Sequence, residues 1–526
     1  MQRKRLRSNL SLCCVTLSLL ACGKPSDDDT TPDDGPRAGA SGDAAGSPGT
    51  GAGGSSTYGN AGSGSAGGSS TMPTSDFEGI PTMGIPYGKA PSGCTVAAAG
   101  GDADTLLLTL DDKIKTVLVS GKDGNVVVNG VTCSAVSAPK LVKVVGSAAA
   151  DVVIVDFSLG ALPTSLTGGT IQIDPGTSAN KDTVAIAVTR GDDAIHLGTN
   201  NGADLVQLGA ELPQLKLTSA EVLILSTGPG NDKVDASGGS SLGKPLATAL
   251  TVYGGADADE IQGGAGADQL HAGAGDDVFY TAAASDGADV YDGGADEDSL
   301  SYEKRTAAVT IKIDKVANDG EVNEKDDVQD NIETLIGGEG ADTINAGEID
   351  NLIIGGPGND MLNGGGGNDT FRETTTAQGA DIMNGGTGVD TIDYNERSGD
   401  LNISLCIPSP TTCITGQCNC TGDDGENNEK DALVNVENAQ GGRGHDVITG
   451  SSADNTLNGN EGNDLLTGVA GDDTLYAGDG DDNLSGGPGD DTLYGNAGKD
   501  SFDAGDGQGD ICIISPTETP LNCELH

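Results

Sequence analysis

The 526-residue chain holds 85 glycines, no tryptophan and 3% aromatic residues, so few of its segments can bury the large side chains of an ordinary globular enzyme core. Its 80 acidic residues against 27 basic ones leave a formal charge of −53, which argues against nucleic acid and anionic membrane as partners. Such a charge repels itself in any compact state and calls for a cation to offset it.

The first 22 residues read as an export signal, with basic residues Arg3, Lys4, Arg5 and Arg7 followed by an apolar run from Leu10 to Ala21. Leu19-Leu20-Ala21-Cys22 resembles a bacterial lipobox, and the resemblance implies a lipid on Cys22 and a cell-surface protein anchored in the outer membrane. An ordinary signal peptide cut nearby is the competing reading. No other stretch is apolar for long enough to span a membrane, so the lipid would be the sole membrane contact. Residues 23–91 are rich in Gly, Ser, Ala, Asp, Thr and Pro and read as a flexible tether.

Over residues 92–250, short β-branched runs recur after an aspartate: Asp104-TLLL, Asp151-VVIV, Asp182-TVAIA, Asp193-AIHL, Asp204-LVQL and Asp232-KVDA. Strands divided by Gly/Asp turns, with no helical period, predict the parallel coils of a β-solenoid. A β-sandwich is the alternative, because the spacings are irregular.

From Gly254 the chain resolves into nine-residue units in three blocks, within 251–301, 337–393 and 441–512. Insertions fill 302–336 and 394–440, and residues 513–526 form a C-terminal cap. Position eight is apolar in all 19 units, from Ile261 to Ile511, against 35% apolar residues overall. This period speaks against a disordered acidic chain. Position six is Asp in 16 units: Asp259, Asp268, Asp277, Asp289, Asp298, Asp342, Asp360, Asp369, Asp381, Asp390, Asp446, Asp464, Asp473, Asp482, Asp491 and Asp500. Asn351, Asn455 and Gly509 are the exceptions. Blocks one and two repeat at an offset of 92, as in Tyr302 and Tyr394, and both insertions contain similar acidic text, Asp319-GEVNEKD and Asp424-GENNEKD.

These units resemble the RTX, or haemolysin-type, calcium-binding repeat GGxGxDxUx. The resemblance implies an all-β, right-handed parallel β-roll in which two units make a coil and Ca²⁺ lies between stacked turns. Glycine permits the tight turns, and aspartate with backbone carbonyls supplies the hard oxygens that Ca²⁺ accepts. Asp464 and Asp482 would then line one column of sites, and Asp473 and Asp491 the other. Ala453 beside Asn455 predicts weaker binding at that unit.

Outside the signal and Cys22, eight cysteines remain, an even number that predicts disulfides in an exported protein. Spacing favours Cys94 with Cys133, Cys512 with Cys523, and pairs within Cys406, Cys413, Cys418 and Cys420. Zinc is the rival for that cluster, but it lacks a nearby His and the usual two-residue gap. Catalytic motifs are weak. Gly239-Ser-Ser241-Leu-Gly243 lacks a strand-to-helix context, there is no HExxH, and the chain has only four histidines. The expected function is a non-enzymatic calcium-binding surface or matrix protein, with a structural or adhesive roll. The alternative is an exported enzyme whose domain at 92–250 uses the roll as a folding module.

Overall fold

The computed structural model describes residues 105–525 apart from 110–115, 123–124, 129–130, 133–140, 146, 148–149, 159–169, 177–180, 210–213, 240–241, 376–377, 406–423, 427–428 and 515–520. The export signal, Cys22, the tether, Cys94, Cys133 and the cluster Cys406, Cys413, Cys418 and Cys420 lie outside the described residues.

Every regular element among the described residues is a β-strand. In the repeats, positions seven to nine make a strand whose middle residue points inward, because a β-strand alternates its faces residue by residue. Glycine and aspartate then turn the chain before the next short strand. Thr456–Glu461, Thr474–Asp479 and Thr492–Ala497 stack in parallel on one side of the roll. Leu465–Thr467, Asn483–Pro488 and Ser501–Asp506 stack on the other. Two units therefore form one coil, and inward residues fall into columns such as Leu457, Leu475 and Leu493, all fully buried.

The same two-sided stack extends back through residues 105–250. On one side, Thr116–Lys122, Val152–Asp156, Thr183–Ala187, Val222–Pro229, Leu250–Ala256 and Gln269–Ala274 pair in parallel in that order. On the other, Thr105–Thr109, Leu141–Val145, Thr170–Asp174 and Gln214–Leu217 pair in parallel. Ala203–Leu208 then joins Gln214–Leu217 to Ala194–Asn200 in antiparallel pairing, and Ala194–Asn200 continues in parallel through Lys233–Asp235 to Glu260–Gln262. The irregular spacing reflects this antiparallel detour and an earlier one, in which Thr116–Lys122, Asn125–Val128 and Val131–Thr132 pair antiparallel in turn.

The two insertions take part in the stack. On one side, Ser299–Ser301 pairs directly with Thr334–Ile336, and Thr391–Asp393 with Asn438–Gln440, so that sheet runs on unbroken. On the other side, Val290–Ala295 receives the short strand Asp327–Val328, and a new sheet begins where Thr310–Lys312 pairs with Thr343–Asn345. The pattern recurs in the second insertion: Ile382–Thr387 receives Ala432–Val434, and Leu401–Ser404 opens a new sheet with Val447–Thr449. Each insertion therefore breaks one side of the roll and leaves the other continuous.

The last unit departs from the predicted register. Cys512, not Ile511, is the buried residue, and it pairs with Leu493 while Ile511 is half-exposed. Gly509 adds one residue to the turn, so Asp510 takes the place of the position-six aspartate. Cys512 is disulfide-bonded to Cys523, with Cα atoms 5.6 Å apart. Beyond the bond, Glu524–Leu525 pairs with Ile511–Ile513, and Leu521 exchanges backbone hydrogen bonds with Phe502 and Ala504.

Leu475 is fully buried and Leu465, at position seven, is 44% exposed. Leu475→Ala should cost about 2–5 kcal/mol in chemical denaturation of the calcium-saturated protein, whereas Leu465→Ala should stay within about 0.5 kcal/mol of the parent.

Candidate metal centre

The position-six aspartates are organised by one repeated hydrogen bond. The backbone N–H of most of them donates to Oδ1 of the carboxylate one coil further on, at 2.7–3.0 Å, while Asp298 and Asp390 donate to Oε2 of Glu333 and Glu437. One column runs from Asp193 through Asp232, Asp259, Asp277 and Asp298 to Glu333. It resumes from Asn351 through Asp369 and Asp390 to Glu437, and from Asn455 through Asp473 and Asp491 to Asp510. The second column runs Asp268, Asp289, Asp326, then Asp342, Asp360, Asp381, Asp431, then Asp446, Asp464, Asp482, Asp500. Asp464 and Asp482 thus share one column and Asp473 and Asp491 the opposite one.

With Oδ1 engaged, the other carboxylate oxygen decides what the site can hold. For Asp259, Asp277, Asp289, Asp298, Asp360, Asp369, Asp381, Asp390, Asp464, Asp473, Asp482 and Asp491, Oδ2 is buried with no hydrogen-bond partner, and none of these residues is more than 2% exposed. Burial pushes these acids up, to about 8 at Asp259 and Asp289 and about 7 at Asp464 and Asp473, with neighbouring carboxylates adding to the rise. A buried carboxylate without a donor or counter-charge is costly, so this many aligned in register call for a cation.

Asp268, Asp342 and Asp446 are arranged differently. Their Oδ2 atoms accept the N–H groups of Gly264, Gly338 and Gly442, at 2.6–2.8 Å, while Oδ1 serves Leu250, Val309 and Leu401. In each case the position-six place one coil back is held by an apolar residue, Leu250, Val309 or Leu401, in place of an aspartate. Asp500 accepts the Asp482 N–H. Asn455 spends its amide locally, accepting from the Ser451 N–H and donating to Glu437 O, which removes an oxygen from that site.

Glycine shapes the rest of the pocket. A Cβ at Gly468 would lie 2.7 Å from Asp473 Cγ and 2.8 Å from Gly486 O, so a carboxylate and a carbonyl of the next coil border the same small space. At position two, Gly487 has φ +122°, a left-handed backbone that side-chain-bearing residues rarely adopt. Among the described residues, no group of three or more His, Cys, Asp or Glu could hold a metal by side chains alone. One carboxylate per turn, with backbone carbonyls for the remainder, is a donor set of hard oxygens. That set fits Ca²⁺, which takes six to eight such ligands in flexible geometry, better than the tight octahedron of Mg²⁺ or the N/S preference of Zn²⁺.

Four positions escaped the repeat pattern. Thr227-GPGNDKVD keeps the nonapeptide frame with Thr in place of the first Gly; Asp232 within it is buried, and the Thr227 hydroxyl lies beside its carboxyl and donates to Gly254 O. Asp510 was hidden by the added residue. Asp326 and Asp431 sit in the acidic text of the insertions, whose likeness was the available signal.

A parallel β-roll with buried, in-register carboxylates at its turns defines a calcium-binding roll module. The RTX calcium-binding nonapeptide repeat (4 copies) family matches residues 253–286, 336–371, 375–395, 440–475 and 476–511, so the chain carries RTX calcium-binding repeats. No curated protein matches the sequence.

Excess chelator should abolish most β-sheet circular dichroism from residues 254–512, and calcium should restore it, because a ligand of the native state alone stabilises that state. Asp473→Ala, Asp482→Ala and Asp232→Ala should each lower calcium stoichiometry in equilibrium dialysis, while Asp28→Ala should not. The raised carboxyls also set a pH dependence. Their folded values of about 6–8 exceed the ordinary 3.8, so in chelator their contribution favours the fold at low pH and is lost as pH rises through about 6–8. Chelated protein should therefore gain β structure on acidification from pH 8 to pH 5, read by circular dichroism.

Proposed function

We propose that the protein is an exported, lipid-anchored surface or matrix protein whose calcium-stabilised roll is a structural or adhesive module. The observation that carries this reading is the continuity of the stack from Thr105 to the C-terminal tail. The strands over 105–250 share both sheets with the repeats instead of forming a separate body. A cavity of about 200 Å³ in this region is lined by Ser158, Thr189, Arg190, Ser226, Thr227 and Tyr253 among others, with no His, Cys, Asp or Glu among the described residues that line it. The sharing of both sheets makes residues 105–250 part of the roll, and this is what supports the non-enzymatic reading over an enzyme at 92–250.

Calcium is scarce in cytoplasm and plentiful outside, and Ca²⁺ sites span dissociation constants of about 10⁻⁹ to 10⁻³ M. An acidic chain of this kind would stay extended until it left the cell and fold where the ion is abundant. Lipidated Cys22 and the polar segment to about Pro91 would hold the roll at a reach set by coil statistics. Cys22→Ser should move the protein from the membrane fraction to the soluble fraction without changing its calcium titration. Retention of the variant in membranes after calcium is chelated would count against the lipid anchor.

A further inference from the structure

The two breaks in the roll share a feature that the repeats lack. At the first, Arg305 is fully buried, with Nη2 2.6 Å from Asp286 Oδ1 and 2.7 Å from Glu324 Oε1, and Nη1 3.2 Å from Glu321 Oε1. At the second, Arg397 is also fully buried, with Nη2 2.8 Å from Glu373 Oε2 and 2.6 Å from Glu429 Oε1. Each guanidinium also lies over a tyrosine ring, Tyr302 at 5.7 Å and Tyr394 at 5.8 Å.

These arginines span the interruptions. The carboxylates they hold come from turns of the preceding sheet, since Asp286 and Glu324 precede Val290–Ala295 and Asp327–Val328. Their own carbonyls accept N–H groups from the first turn of the next block, Glu339 to Arg305 at 2.7 Å and Arg443 to Arg397 at 3.0 Å. At the same place the aspartate column loses its unpaired oxygen. Asp326 and Asp431 use Oδ1 for the N–H of Asp289 and Asp381, and Oδ2 for the phenol O–H of Tyr302 and Tyr394, at 2.8 Å in each case.

The two joints also exchange residues in a way that conserves charge. Positions 281 and 286 hold Thr and Asp, while their counterparts 92 residues on hold Glu373 and Gln378. The acid has changed position, yet in both copies it reaches the arginine.

We propose that Arg305 and Arg397 are fixed cations that take the place of calcium at the two joints, so that consecutive repeat blocks are held together by buried guanidinium–carboxylate contacts. This rests on the calcium reading of the repeat turns. Arginine suits the role because it stays charged at any physiological pH and its guanidinium meets two or three carboxylates at once, through both Nη atoms at Arg305 and through Nη2 at Arg397.

The full chain is titrated with calcium by circular dichroism, and limited proteolysis is run in saturating calcium. In Arg305→Met the acids at the joint lose their cation; the calcium midpoint should rise about threefold, and cleavage should appear within residues 302–336, where the parent resists, since removing one partner of a buried pair is strongly destabilising. Arg305→Lys, with charge but no fork, should fall between. Thr281→Glu combined with Asp286→Gln transplants the second joint's acid arrangement into the first and should titrate like the parent. An Arg305→Met variant with the parent's midpoint and the parent's protease pattern overturns the proposal. If Arg305→Met does not fold, the transplant decides, and its failure to fold overturns the proposal as well. A parent indifferent to calcium would instead refute the calcium reading of the repeats, which separates the two.

Discussion

The carboxylate placed at most half-coils of the repeats, with one oxygen tied to a backbone N–H and the other buried without a donor, is the constraint around which this molecule is built. The relay fixes the stagger between coils, since each aspartate both donates through its own N–H and accepts from its neighbour. It also accumulates negative charge where water is excluded. The apolar core offers little to set against that, because each nonapeptide contributes one large inward side chain such as Leu466 or Leu484, joined in a few units by a small one such as Ala477. A conventional domain can absorb a few buried polar groups in a thick core, but a roll this thin depends on the charge being neutralised.

The dependence is uneven along the chain. Between Val152 and Leu225 the strands are longer, and several bury residues on both faces, with Leu118, Ile154, Ala185 and Ala187 forming a second small apolar cluster outside the main one. That part stacks largely through β-branched packing, which asks less of the turns. The repeats use strands of three to six residues and place their specificity in the turns instead. One architecture therefore passes gradually from hydrophobic stacking to stacking held by charge and carbonyls.

Much of this was legible in the sequence, because a period of nine with an invariant apolar position leaves few ways to place inward side chains. Position eight foretold columns such as Leu457–Leu475–Leu493, and the two-unit coil followed from the family resemblance. What stayed hidden depended on neighbours rather than on the motif. Asp268, Asp342 and Asp446 match the consensus as well as Asp473 does, yet both of their oxygens are occupied because of what precedes them in the stack. Asp232 was concealed by a threonine in a glycine position, and Cys512 by one extra residue in its turn. The insertions looked like interruptions because Asp327–Val328 is too short to show any period, although it extends a sheet.

The C-terminal tail bears on how many copies of the roll can join. A parallel stack ends in strands whose outer N–H and C=O groups are open, and an identical chain could extend such an edge indefinitely. Here Glu524–Leu525 lies along Ile511–Ile513 on one side, Leu521 bonds to the Ser501–Asp506 strand on the other, and the Cys512–Cys523 bond holds both in place. Growth of the stack across this edge is thus opposed by residues of the same chain, which already occupy the hydrogen-bonding groups that a second copy would need.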